Sequence, residues 1–285
     1  MYNRIFCLFT EHPSEQNANV DKKAQTEMSL SATANDQHAI SNIRPPTKNI
    51  RPPTYNIRPP TSMSLIKSLK LPSWPLSFRS YGSKVFVGLA TDEDDAGQNT
   101  HILLTNTSLS NKQTFVNVNS NVTSIQAYND ELYVWFAHED LINVYDLTGK
   151  LLRSWKHSCL SKYYNKLRVV SEKVVVSSAQ DEALTVYNLQ GQLLKQIKCP
   201  GICGNCCDYK AMAVCGDDSV IVSDANTSTI SRVNIDSGEV MWTSKHVKVP
   251  QGVVCYKNRY VLATDRNIVT RIWILDAHTG MIMLY

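Results

Sequence analysis

Residues 131–156, ELYVWFAHEDLINVYDLTGKLLRSWK, repeat the apolar and polar pattern of residues 173–198, KVVVSSAQDEALTVYNLQGQLLKQIK. In each, a run rich in β-branched and aromatic residues (Leu132 to Ala137; Val174 to Ala179) meets a short polar break. A second run follows (Leu141 to Leu147; Leu184 to Leu189), then a turn centred on Gly149 or Gly191, then a third run (Leu151 to Trp155; Leu193 to Ile197). Strand-forming composition punctuated by a glycine turn reads as a hairpin-connected sheet, written twice.

The same unit recurs along the chain. Its second strand reads KVFVGLA from Lys84, ELYVWFA from Glu131, KVVVSSA from Lys173, SVIVSDA from Ser219 and YVLATDR from Tyr260, at offsets of 47, 42, 46 and 41 residues. Preceding runs such as Val122 to Tyr128, Leu167 to Val170, Ala211 to Cys215 and Val253 to Tyr256 supply a first strand. Gly238 and Gly280 repeat the role of Gly149 and Gly191 before a fourth. A small sheet of this kind cannot bury both faces alone and must stack on its neighbours, so the period predicts an all-β fold, a β-propeller of four-stranded blades. Five blades are recognisable, and the chain reaches Tyr285 as a fourth strand is being written. The expectation is a closed five-bladed ring or a truncated six-bladed one.

Ahead of the repeats the character changes. Residues 1–41 are polar, without sustained periodicity, and predict disorder. Residues 42–61 read NIRPPTK, NIRPPTY, NIRPPT; each Pro-Pro fixes φ and removes donors, which predicts a semi-rigid polyproline II segment. It reads as a spacer, with docking to aromatic-grooved modules as the functional alternative. The division is therefore a disordered tail over 1–75 and the propeller over 76–285.

Charge follows the same boundary. Nine of the 29 Lys/Arg and five of the 25 Asp/Glu fall in residues 1–75, leaving 20 of each in the repeats. The propeller is neutral overall. No apolar run approaches the roughly 18 residues that span a bilayer, and the apolar run after Arg4 is shorter than a secretory signal needs. The expectation is a cytoplasmic protein without membrane contact, whose eight Cys are thiols. On that reading the Asn-x-Ser/Thr sites at Asn106, Asn121 and Asn226 carry no glycan.

Ser219 to Trp242, SVIVSDANTSTISRVNIDSGEVMW, and Val249 to Tyr256, VPQGVVCY, resemble the NHL-repeat propellers at the C-terminus of tripartite-motif (TRIM-NHL) proteins. The matching features are the strand ending in Asp224, Ile230 six residues later, and Pro250-x-Gly252-x-Val254 leading into the next unit. Thr227 stands where the family pattern has Asn three residues after that Asp, and Asn226 precedes it. The resemblance covers roughly residues 122–285 and implies a propeller that binds protein or single-stranded RNA. The zinc-binding RING and B-box modules of that family need many Cys and His at fixed spacings. Residues 1–75 offer only Cys7, His12 and His38, so ubiquitin transfer by that route is not expected.

The catalytic patterns G-x-S-x-G, H-E-x-x-H, the P-loop and G-x-G-x-x-G do not occur. Lactonase and quinoprotein propellers, which hold metals or a cofactor near the ring axis, are the enzymatic alternative. Cys199, Cys203, Cys206 and Cys207 have a spacing that offers three or four corners of a zinc site, but no second knuckle accompanies them, and a plain Cys-rich loop is the preferred reading. Asp92 to Asp95 form an acidic loop, with only Gly97 near to supply the turn that a calcium loop requires. No cofactor is expected.

What remains is recognition. Loops between the second and third strands, and between units, gather on one face of a propeller. They contribute Asp92, His138, Glu139, Gln180, Asp181, Asn226, Arg266 and Asn267. Phosphate binding needs clustered Lys/Arg, and these loops are mixed to acidic. The sequence predicts a non-enzymatic protein-interaction scaffold, with single-stranded RNA as the alternative ligand.

Overall fold

A strand covered on both faces must be apolar at nearly every position, and the second strand of each unit meets that condition. Lys84–Leu89, Glu131–Phe136 and Lys173–Ser177 are buried at all but their first residue, and Ser219–Asp224 is buried throughout. Parity then decides which neighbour each side chain meets. Leu132, Val134 and Phe136 enter the core shared with the first sheet, whereas Tyr133 and Trp135 enter the core shared with the third.

The computed structural model describes residues 75–89, 100–118, 120–136, 139–157, 166–177, 183–199, 210–266 and 272–283. The chain divides into two units, Met1–Ser68 and Leu69–Tyr285. The polar tail and the NIRPPT repeats fall in the first, outside the described residues.

The second unit is an all-β propeller of five antiparallel meanders. Blade one holds β1 (Pro75–Tyr81), β2 (Lys84–Leu89), β3 (Thr100–Asn106) and β4 (Gln113–Val118). Blade two holds β5 (Val122–Tyr128), β6 (Glu131–Phe136), β7 (Leu141–Asp146) and β8 (Leu151–Lys156). Blade three holds β9 (Lys166–Val170), β10 (Lys173–Ser177), β11 (Ala183–Asn188) and β12 (Leu193–Lys198). Blade four holds β13 (Lys210–Val214), β14 (Ser219–Asp224), β15 (Thr229–Asn234) and β16 (Val240–Ser244). Blade five holds β17 (Pro250–Tyr256), β18 (Tyr260–Asp265) and β19 (Ile272–Asp276). A bridge from Leu275 to Ile282 marks the beginning of its fourth strand, with Met283 N donating to the Ile274 carbonyl at 2.9 Å.

The first strands β1, β5, β9, β13 and β17 line the inner side, each packed on the next. Among the described residues β17 makes no comparable contact with β1. Blade five buries the face it turns to blade four. Residues of β17–β19 that point toward blade four, such as Val261, Ala263 and Leu275, are fully buried, whereas Val254 and Ile272 on the opposite face are 51% and 61% exposed.

One contact recurs at every blade interface. A cation from one blade donates to a carbonyl in the turn after the third strand of the next: Lys84 Nζ to Leu147 at 3.5 Å, Arg153 Nε to Leu189 at 2.7 Å, Lys195 Nζ to Asp236 at 2.6 Å and Arg232 Nη1 to Ala277 at 2.9 Å. Each receiving turn is held open by an Asx residue ending that strand. Asp146 accepts from the Thr148 and Lys150 amides, Asn188 from Gln190 and Gln192, Asn234 from Asp236 and Ser237, and Asp276 from His278 and Thr279. The neighbouring blade thus supplies a donor to each of these turn carbonyls.

Candidate functional site

The loop face is built from the ends of the second strands. Asp224, the last residue of β14, is buried, and its Oδ1 accepts from the amides of Asn226 and Thr227 at 3.0 Å each. This Asx turn lifts Asn226 into solvent on a fixed backbone. Ser228 closes the loop by accepting the Val249 amide on Oγ at 3.2 Å, which ties it to the entry of blade five. There the exposed Arg266 donates its amide to the Val249 carbonyl at 3.1 Å. Asp265, buried like Asp224, accepts from Trp273 Nε1 at 3.0 Å. Glu139 is exposed in the turn between β6 and β7. Asn226, Arg266 and Glu139 are thus the loop-face candidates that the structure describes; Asp92, His138, Gln180, Asp181 and Asn267 lie outside the described residues.

The inner wall has a different chemistry, which the overall neutrality of the repeats concealed. Arg79 stands on β1, and Lys166 and Arg168 stand on β9. Arg168 Nη1 donates to the Leu167 carbonyl at 2.7 Å. Removal from water, reinforced by the nearby Arg168 charge, lowers the Lys166 ammonium to about 8. Burial likewise lowers Arg168 to about 9, with the Arg79 charge adding to the shift, and burial lowers Arg79. These side chains are half-buried, and the protein packed around the inner strands removes part of their hydration.

The cysteines depart from the sequence expectation. Cys215, which follows β13, and Cys255 of β17 form a disulfide within the core between blades four and five, so not all the cysteines are thiols. The two inner strands that carry them are packed neighbours, a proximity that their separation of 40 residues does not advertise. Cys199 is a buried thiol packed between blades three and four, its Sγ directed at the Ile197 carbonyl at 3.6 Å. Cys203, Cys206 and Cys207 lie outside the described residues, as does the Asp92 to Asp95 loop. Among the described residues no group of three His, Cys, Asp or Glu is placed to hold a metal. No helix among them is long and apolar enough to cross a membrane.

The five meandering blades define the chain as a β-propeller protein. It is similar to the solved WD40 β-propeller domain of Doa1, with a TM-score of 0.54 and 16% sequence identity over 73% of this chain. The chain spans just under two thirds, 66%, of that structure's length, and at this identity the likeness concerns the fold. No known family profile matches the chain, and no curated protein sequence matches it.

Proposed function

We propose that this chain is a non-enzymatic interaction scaffold that recognises a protein partner on the loop face of an NHL-like propeller. The observation that carries the reading is the rigid presentation of Asn226. A buried carboxylate, Asp224, organises the loop from below, and the blade-five entry pins it from the side through Ser228 and Val249. A surface ordered before binding loses little entropy on association. The neighbouring exposed groups are of mixed sign, Glu139 and Arg266, which suits a polar protein surface more than a phosphate backbone.

The NHL resemblance of Ser219 to Trp242 supports the same reading, since the Asp224 position that carries it is the one that shapes the loop. The lactonase or quinoprotein alternative needs carboxylates, histidines or a cofactor along the axis, and the described inner strands carry Arg79, Lys166 and Arg168 but no carboxylate or histidine. Cytoplasmic placement belongs to this proposal as well. The Cys215–Cys255 bond weighs against it, because such bonds persist chiefly in oxidising compartments.

The test is mobility shift of pooled single-stranded RNA by the full chain across a salt series. The protein-binding reading expects no shift at low salt. A shift that fades steeply as salt rises would replace it with RNA recognition.

A further inference from the structure

The outer strands of blades two and three present leucines to solvent. Leu151 and Leu152 open β8, Leu193 and Leu194 open β12, and all four are between 43% and 60% exposed. Alternation then turns Leu152, Ser154 and Lys156 outward on β8, and Leu194, Gln196 and Lys198 outward on β12. The two leucine pairs belong to one surface. Trp155 of β8 packs on Gly191, two residues ahead of Leu193, and Arg153 Nε donates to the Leu189 carbonyl at 2.7 Å.

Charge on these strands has a single sign. The outer strands β4, β8, β12 and β16 contain Arg153, Lys156, Lys195 and Lys198 and no carboxylate. Three carboxylates beside β8 and β12 are already engaged: Glu131 with Arg153, Asp236 with Lys173, and Asp146 with amides of its own turn.

Gathered, exposed apolar side chains mark a contact surface. Leucines flanked by cations offer two attractions at once, apolar burial and affinity for negative charge, and an anionic bilayer satisfies both. We propose that the outer edge of blades two and three docks on an anionic phospholipid surface, its leucines entering the headgroup region and its lysines meeting lipid phosphates. A strand laid along the bilayer brings Leu152 and Lys156, about 13 Å apart, to the headgroups together. A nucleic-acid strand would instead stack its bases on aromatic platforms, and the outward side chains here are aliphatic or polar. The contact is peripheral and needs no spanning helix. The sequence expectation of no membrane contact rested on the length of apolar runs, which does not register a surface assembled from two strands. This inference does not depend on the loop face having a protein partner.

The probe is sedimentation of the full chain with phosphatidylcholine vesicles containing about 30% phosphatidylserine, against vesicles of phosphatidylcholine alone. The expected result is binding to the first and about tenfold weaker binding to the second. Leu152→Ser with Leu194→Ser, and separately Lys156→Gln with Lys198→Gln, should each weaken binding about tenfold. Lys257→Gln, which removes an exposed charge between β17 and β18, should leave it unchanged. The four substituted outer-strand positions are exposed, so both double variants should melt with the parent. Absence of vesicle binding, equal binding to the two kinds of vesicle, or equal binding by the parent and either double variant overturns the proposal. So does a concentration-dependent dimer that the leucine variant abolishes while vesicle binding persists, which would assign the leucines to a second copy of the chain.

Discussion

Gly191 lies against the indole of Trp155 in the preceding blade, so closely that a Cβ at Gly191 would stand 2.5 Å from Trp155 Cδ2. Gly280 meets Trp242 in the same way, at 2.5 Å from Cε3. Both glycines have positive φ, 83° and 71°, as the turn before the fourth strand requires. The glycine thus serves twice, in its own hairpin and as the seat for the outer strand of the blade before it.

Replacing Gly191 with alanine therefore meets both strain and overlap. We expect a loss of about 1–3 kcal/mol in urea unfolding. In a Trp155→Ala background the overlap disappears while the positive φ remains, so the penalty should shrink to about 1 kcal/mol. An equal penalty in both backgrounds would contradict the packing account.

Arg153 joins blade two to blade three and also engages Glu131, through Nη1 to Oε1 at 2.8 Å and Nη2 to Oε2 at 2.5 Å. The Arg153 hydrogen bond is the main cause holding the Glu131 carboxyl below its ordinary range, against a smaller opposing effect of burial. A depressed carboxylate contributes stability that is present above its unfolded pKa and is lost as pH falls through the folded one. Unfolding titrations from pH 6 to pH 3 should show that loss in the parent chain and a shallower fall in Arg153→Met, which also starts lower by about 2 kcal/mol.

At neutral pH the Lys166 charge costs stability where that of Glu131 adds it, although both contributions rise with pH. The folded Lys166 value of about 8 lies below the ordinary 10.5, because burial and Arg168 disfavour the charge. Between those values the unfolded chain binds the extra proton, so stability should rise with pH above about 8 and level off near 10.5. Chemical unfolding at pH 7.5 and pH 9.5 reads the effect as a difference, which Lys166→Met should reduce, leaving the share of Arg168, itself lowered to about 9.

The Cys215–Cys255 bond closes a loop of 40 residues between blades four and five. Loop-closure entropy assigns it about 4 kcal/mol. Cys215→Ser with Cys255→Ser should lower the midpoint of unfolding by a corresponding amount, and dithiothreitol should lower the parent's midpoint and leave the variant's unchanged. A variant as stable as the parent would show that packing alone joins these blades.

Much of the fold was legible because a stacked blade imposes a demanding pattern. Val134 and Trp135 belong to different cores, so their strand must be apolar on both sides, and a run such as ELYVWF is hard to mistake. The blade turns were legible from Gly149 and Gly191. The Asx residues that hold them, Asp146 and Asn188, carried a signal in their placement three residues before each glycine. The inner-strand cations were not legible because the Arg79 charge reaches Arg168 only after blades have stacked, and summed charge carries no geometry. The pairing of Cys215 with Cys255 was hidden in the same way. Of the loop face, Asn226 and Arg266 were recognisable because strand ends in consecutive units fix where such loops emerge.

On the proposed function the loop face is the recognition surface. Its most direct test is affinity capture with the parent chain and with a variant carrying Glu139→Arg, Asn226→Arg and Arg266→Glu, compared at matched melting temperature and followed by mass spectrometry. All three positions are solvent-exposed, so the variant should fold as the parent does. The account predicts a protein captured by the parent and lost from the variant. The same protein captured equally by both would place recognition elsewhere and contradict the claim.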